Sequence, residues 1–166
     1  LRPGSIYDSN DKAQYAELTE MRELVEIAWG NYVQVMAEGP GHIPMNKIEL
    51  YMKEYRYLCK GVPFFSPGMV TSDLAVGHEH IASAIGGAQM AWYGASLIGG
   101  LKSQVDITDM EHMQTDLLSY KIAAHSADLA KGHPGAQVRD NAFSKAKQEG
   151  RKADWMKLSL GAFTKS

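Results

Sequence analysis

The chain is almost without cysteine. Cys59 is the only one among 166 residues, so no disulfide framework forms within it and no thiolate cluster can be built by this chain alone. A single thiol fits a reducing cytoplasm. An excess of charge is missing too: 17 Lys and Arg stand against 19 Asp and Glu, a formal net charge of -2. That balance gives no electrostatic reason to expect nucleic acid or a membrane surface as partner. No apolar run approaches the roughly 20 residues of a membrane span, and the first residues show no signal-peptide pattern. Internal repeats, low-complexity segments and linkers are also lacking, so residues 1–166 read as a single region.

What remains is an ordinary globular composition, 45% hydrophobic and 22% charged, long enough to bury a core. The opening "LRPGSI" reads as a loop cut in mid-course, the pattern of a fragment or a processed chain. A helix is expected next, with Leu18, Met21, Val25 and Ala28 on one face, Asn10 or Asp11 as its cap and Gly30 at its end. "YVQVMAE" reads as a strand. After the turn "GPGHIP", Asn46 and Glu49 have the spacing of a capping box. They precede a helix with Ile48, Met52, Tyr55 and Cys59 on its stripe. Gly61 stops that helix and "VPFF" makes a second strand. "HEHIASAIGGAQMAW" is a third helix and "GASLIGG" a third strand. Helices over about 109–131 and 136–149 close the pattern. Strands alternating with helices argue for parallel βαβ units, α/β in class. Three strands are too few for a closed barrel and look like part of one.

Chemistry-bearing residues gather after the strands, where α/β proteins place their sites. Glu38 and His42 flank a turn stiffened by Pro40 and Pro44 and loosened by Gly39 and Gly41. An imidazole there can ligate a transition metal, and the carboxylate can take a substrate amine or ribose hydroxyl. A solvated or helix-capping pair is the plainer alternative. His78 and His80 alternate at a helix start and do not form a zinc motif, which needs histidines four apart; capping and packing suffice for them. Asp73 has the placement of a helix cap or a site residue. His125 reads as a satisfied core histidine, and His133 lies at a helix C-terminus, where a cation is favoured and a structural role suffices. Arg139 and Asp140 read as a surface pair. Ser5, Ser66 and Ser96 have no adjacent base or oxyanion motif, so nucleophilic serine chemistry is unsupported.

Taken together, "LRPGSI", "EGPGHIPM", "TSDLA", "GHEHI", "WYGAS" and "YKIAAHSADLAKGHPGAQ" resemble the phosphomethylpyrimidine synthase family of thiamine-pyrimidine enzymes. The resemblance covers nearly the whole chain, weakening between Leu97 and Leu118 and after Leu160. It implies that the chain is the C-terminal portion of a (β/α)8 TIM-type barrel with long helices. It implies a radical S-adenosylmethionine reaction, with a 4Fe-4S cluster, that turns aminoimidazole ribonucleotide into hydroxymethylpyrimidine phosphate. Carried over residue by residue, Arg2 and Glu38 contact substrate and His42 holds zinc or another divalent metal. A paralogue that makes 5-hydroxybenzimidazole from the same substrate is an enzymatic alternative; a non-catalytic member or subunit is another.

Four departures mark this chain. Phe65 stands where the family has a substrate-contacting tyrosine, and "GHEHI" replaces its "GYDHI". The segment that carries the family's second metal ligand is replaced by "GGLKSQVDITDMEHM", which offers Asp106 or, in a shifted alignment, His112. The family's cysteine triad falls outside this sequence. Half a barrel also leaves sheet edges and apolar faces uncovered, so a homo-oligomer, or a barrel half supplied by another segment, is expected.

Overall fold

A computed structural model describes residues 5–7, 9, 11–100 and 110–161. Helix α1 runs Lys12–Gly30, strand β1 Ala37–Glu38, helix α2 Met45–Leu58 and strand β2 Phe64–Ser66. Helix α3 (Glu79–Trp92), strand β3 (Leu97–Ile98) and helices α4 (Met110–Ala130), α5 (Pro134–Gln148) and α6 (Lys152–Leu158) follow. The protein is thus mixed α/β, mostly helical, around a small parallel sheet in the order β1-β2-β3.

The helices begin where local chemistry allows. Asp11 accepts the Gln14 amide and caps α1, one of the two caps expected from sequence. The Asn46–Glu49 capping box does not form. Pro44, with φ −59°, occupies the N-cap of α2, because a residue that lacks an N–H and is preset to that angle suits the position. Asn46 therefore lies inside the helix, and Glu49 pairs with Lys53. After α2 the chain turns through Lys60 (φ 53°) and Gly61 (φ 76°), the left-handed conformation that glycine tolerates best.

The expected strand over "YVQVMAE" shrinks to Ala37–Glu38, since Val33 and Met36 are exposed and among the described residues only the last two pair with β2. The core lies where α1 and α2 meet the sheet. Leu18 and Val25 of α1 pack with Ile48, Met52, Tyr55 and Cys59 of α2, so the anticipated α2 stripe is buried. Phe64 fills the centre, its ring edge-on to Tyr51 and Tyr55 at 6.2 and 4.5 Å. Tyr55 donates to the Val62 carbonyl at 2.6 Å. Burial pushes the Tyr51 and Tyr55 hydroxyls and the Cys59 thiol above their ordinary pKa ranges. Cys59 is accordingly a packing residue.

Small residues on α3 let it lie close to β3 and to the loop after β2. Gly86 and Gly87 let α3 approach the backbone of Met69 and the side chain of Ile98. Tyr120 of α4 donates to Ser83 of α3 at 3.1 Å. Helix α6, which the weakly patterned tail did not announce, is tied to α5 by Arg139, whose guanidinium donates twice to the Leu158 carbonyl. Among the described residues no helix is long and apolar enough to cross a membrane.

Candidate functional site

Parallel register decides which side chains share a face. Ala37 pairs with Phe64, and Glu38 with Phe65, which in turn pairs with Leu97. Successive strand residues point to opposite faces. Phe64 faces α2, so Glu38, Phe65 and Leu97 form one row on the opposite face. Glu38 and Leu97 are exposed there and Phe65 is half-buried. Two glycines confirm the assignment. A Cβ on Gly39 would meet the Phe64 ring at 2.0 Å, and one on Gly99 would meet the Phe65 ring at 2.7 Å.

Beyond the strands the pairing of β1 and β2 continues for one more step. His42 and Val70 form an isolated parallel bridge, with Val70 N–H donating to Gly41 O at 2.8 Å and Ile43 N–H to Val70 O at 3.2 Å. This holds His42 at the C-terminal end of the Glu38–Phe65 row. It also brings the β2–α3 loop across, so that Asp73 Oδ1 stands 3.9 Å from His42 Nε2. Asp73 Oδ2 accepts the Ile6 amide at 2.8 Å. The helix-cap role expected of Asp73 is not taken, since His78 holds the N-cap position of α3. His42 Nδ1 is buried and, among the described residues, has no hydrogen-bond partner. His42 is thus not a satisfied packing histidine, and Nε2, which faces Asp73, is its ring nitrogen placed to meet a ligand.

Arg2 and Asp106 lie outside the described residues. His112 sits in the exposed first turn of α4, on a different element from the His42 loop. Among the described residues no group of three or more His, Cys, Asp or Glu is placed to hold a metal. A thiolate cluster does not fit this stretch either: Cys59, the one cysteine, is buried in the α1–α2 core.

Of the other histidines, His80 shares the unmet buried Nδ1, whereas His125 and His133 have found partners among the described residues. His80 Nδ1 lies 3.5 Å from Asp116 Oδ1, a charge contact between α3 and α4 that is too loose to count as a hydrogen bond. Its ring meets that of His78 edge-on. His125 of α4 is hydrogen-bonded to Asp140 of α5 and partly buried; it is not the core histidine expected. Asp140 therefore does not pair with Arg139, which is occupied by Leu158. His133 does lie at a helix C-terminus, its N–H donating to the Asp128 carbonyl at 2.9 Å just past α4. It takes a structural role as the cap of α5, its Nδ1 accepting the Gly135 amide at 3.2 Å.

Sequence reasoning singled out Glu38, His42 and Phe65; Glu38 and Phe65 share one face across β1 and β2, and His42 follows past the C-terminal end of β1. It did not pair His42 with Asp73, because the bridge that joins their loops is a backbone pairing without a side-chain signature. Comparison with protein families matches residues 1–165 to the radical SAM ThiC family.

Proposed function

Because the chain belongs to the radical SAM ThiC family, we propose that it is the C-terminal part of the catalytic barrel of an enzyme that converts aminoimidazole ribonucleotide to hydroxymethylpyrimidine phosphate. Membership implies radical S-adenosylmethionine chemistry in the thiamine pathway, with an iron–sulfur cluster as its source of electrons. This stretch supplies no cysteine triad for that cluster, so its contribution is substrate and metal binding.

The observation that carries the reading is the row formed by Glu38 and Phe65, with the His42 loop at its end. In this reading the Glu38 carboxylate accepts hydrogen bonds from the ribose or the exocyclic amine, and Phe65 lies against the imidazole. Arg2 supplies a cation to the phosphate. His42 holds zinc or another divalent metal, with Asp106 or His112 as a further ligand. The open face that bears Leu97 is then closed by the remaining barrel strands or by a second copy. A cytoplasmic location follows from the same reading.

The test is anaerobic reconstitution of the full-length gene product with S-adenosylmethionine and aminoimidazole ribonucleotide. Release of 5′-deoxyadenosine together with hydroxymethylpyrimidine phosphate is the expected outcome. Absence of 5′-deoxyadenosine would sink the enzymatic reading, and 5-hydroxybenzimidazole as product would reassign the reaction.

A further inference from the structure

Asp73 reaches His42 from a different loop, and the route is covalently short. Val70 is locked to the His42 loop by two backbone hydrogen bonds, and Asp73 follows it in the same loop. The carboxylate then divides its oxygens. Oδ2 is committed to the Ile6 amide at 2.8 Å. Oδ1 faces His42 Nε2 at 3.9 Å, beyond the roughly 3.2 Å limit of a good hydrogen bond. Two ligands on one cation stand that far apart only at a wide angle, roughly 125–155°, and a tetrahedral ion would draw them a few tenths of an ångström closer. With metal–ligand bonds of about 2.0–2.2 Å, the donor atoms lie roughly 3–4 Å apart as the angle between them opens. A hydrogen bond to the second oxygen is the usual way a ligating carboxylate is oriented.

We propose that Asp73 is a ligand of the cation at His42, binding through Oδ1 while Oδ2 anchors the N-terminal segment at Ile6. The inference rests on the reading that His42 holds a metal. It adds a carboxylate from the β2–α3 loop to that site and links occupancy of the site to the order of the Ile6 amide. An ion pair without a metal would leave the same two side chains partly exposed, and such pairs contribute only about 0–1 kcal/mol. A cation gives the pair a readout that a surface pair lacks.

Cobalt(II) titration of the full-length protein separates the possibilities, with its visible absorption band and dissociation constant as readouts. Wild type, His42→Ala, Asp73→Asn and Asp73→Ala are compared, and amide exchange at Ile6 is followed with and without the metal. Wild type should bind, and His42→Ala should not. Asp73→Ala should weaken binding by at least about 100-fold, the upper end of what residues one step removed from a metal contribute, and Asp73→Asn, which keeps a neutral oxygen, by about 10-fold. Cobalt should slow Ile6 exchange in wild type and leave it unchanged in Asp73→Ala. Asp73→Asn keeps an oxygen for the Ile6 amide, so its exchange without metal should match wild type, and it carries the test if Asp73→Ala does not fold. Equal affinity in wild type and both Asp73 variants, with His42→Ala inactive in binding, overturns the role of Asp73 and leaves His42 standing. Cobalt bound equally by wild type and His42→Ala removes the metal from His42 and the proposal with it.

Discussion

Three histidine–aspartate pairs bridge separate parts of this protein among the described residues, and two of them have opposite characters. His125 and Asp140 join α4 to α5 through a closed hydrogen bond between partly buried groups. His42 and Asp73 join two loops at the end of the sheet, and they stand apart at 3.9 Å with a buried ring nitrogen left over. The closed pair lies where helices need a tether. Helix α4 buries only Tyr120, Ala123 and Ala127, so polar links to its neighbours do part of the work that a broad apolar face would do. The open pair lies on loops that the core already holds. Gly39, just ahead of His42, rests on Phe64, and Ile43, just after it, is fully buried. The pair between α4 and α5 uses up its hydrogen-bonding capacity; the pair mounted on the rigid sheet end keeps capacity free for a ligand.

The largest expected effect comes from disturbing the scaffold beneath the open pair. In Gly39→Ala the new methyl would stand 2.0 Å from Phe64 Cζ, and Phe64 is wedged against Tyr51 and Tyr55. Relief requires the loop or the ring to move. We expect a loss of about 3 kcal/mol, at the upper end for overpacking, and a fall in Tm of roughly 6–12 °C by calorimetry. Gly41→Ala is the control, because a Cβ there meets nothing within 4 Å; it should change stability by less than about 0.5 kcal/mol. Equal effects in the two variants would mean that the loop is not held by the Phe64 core.

The closed pair comes next. Asp140→Ala leaves His125 partly buried between α4 and α5 without its acceptor. The expected cost is about 1.5 kcal/mol, read as a Tm lower by roughly 3–6 °C, with faster amide exchange confined to α5 and α6. Cobalt affinity should not change. A shift in metal binding would show that the two pairs are coupled and that the contrast drawn between them is false.

Much of this was legible from the residues. The α2 stripe of Ile48, Met52, Tyr55 and Cys59 is periodic and ends at Gly61, and it forms because burial on one helical face dominates that segment. The parallel βαβ order also follows from alternating patterns. The strands themselves were overread, since a buried parallel sheet needs only a few paired residues and Val33 to Met36 have nothing to pair with among the described residues. The capping box failed because Pro44 claims the N-cap two residues before Asn46. Glu38, His42 and Phe65 were visible as loop and strand-end residues. Asp73 was visible as a helix cap or a site residue but without its partner, because its meeting with His42 depends on register between distant backbones. His125 and Asp140 were each assigned to the wrong partner or setting for the same reason: contacts between helices are set by tertiary packing and leave no local spacing to read.

The smallest expected effect is on the open pair itself, and it is the sharpest test of the contrast. Without added metal, Asp73→Ala removes one partly exposed hydrogen bond to Ile6 and a long-range charge contact with His42. Neither is buried enough to leave a costly unsatisfied group, so unfolding free energy should fall by no more than about 0.5–1 kcal/mol. Asp140→Ala measured in the same denaturant series should therefore be the more destabilised variant, although both remove an aspartate beside a histidine. With saturating cobalt the order should reverse. A ligand that binds only the folded state stabilises by RT ln(1 + [L]/Kd), about 2.7 kcal/mol at one hundred times Kd, and Asp73→Ala loses that gain while Asp140→Ala keeps it. If Asp73→Ala is the less stable of the two in the absence of metal, the open pair is a structural clamp like its counterpart, and the division between fastening and binding pairs fails.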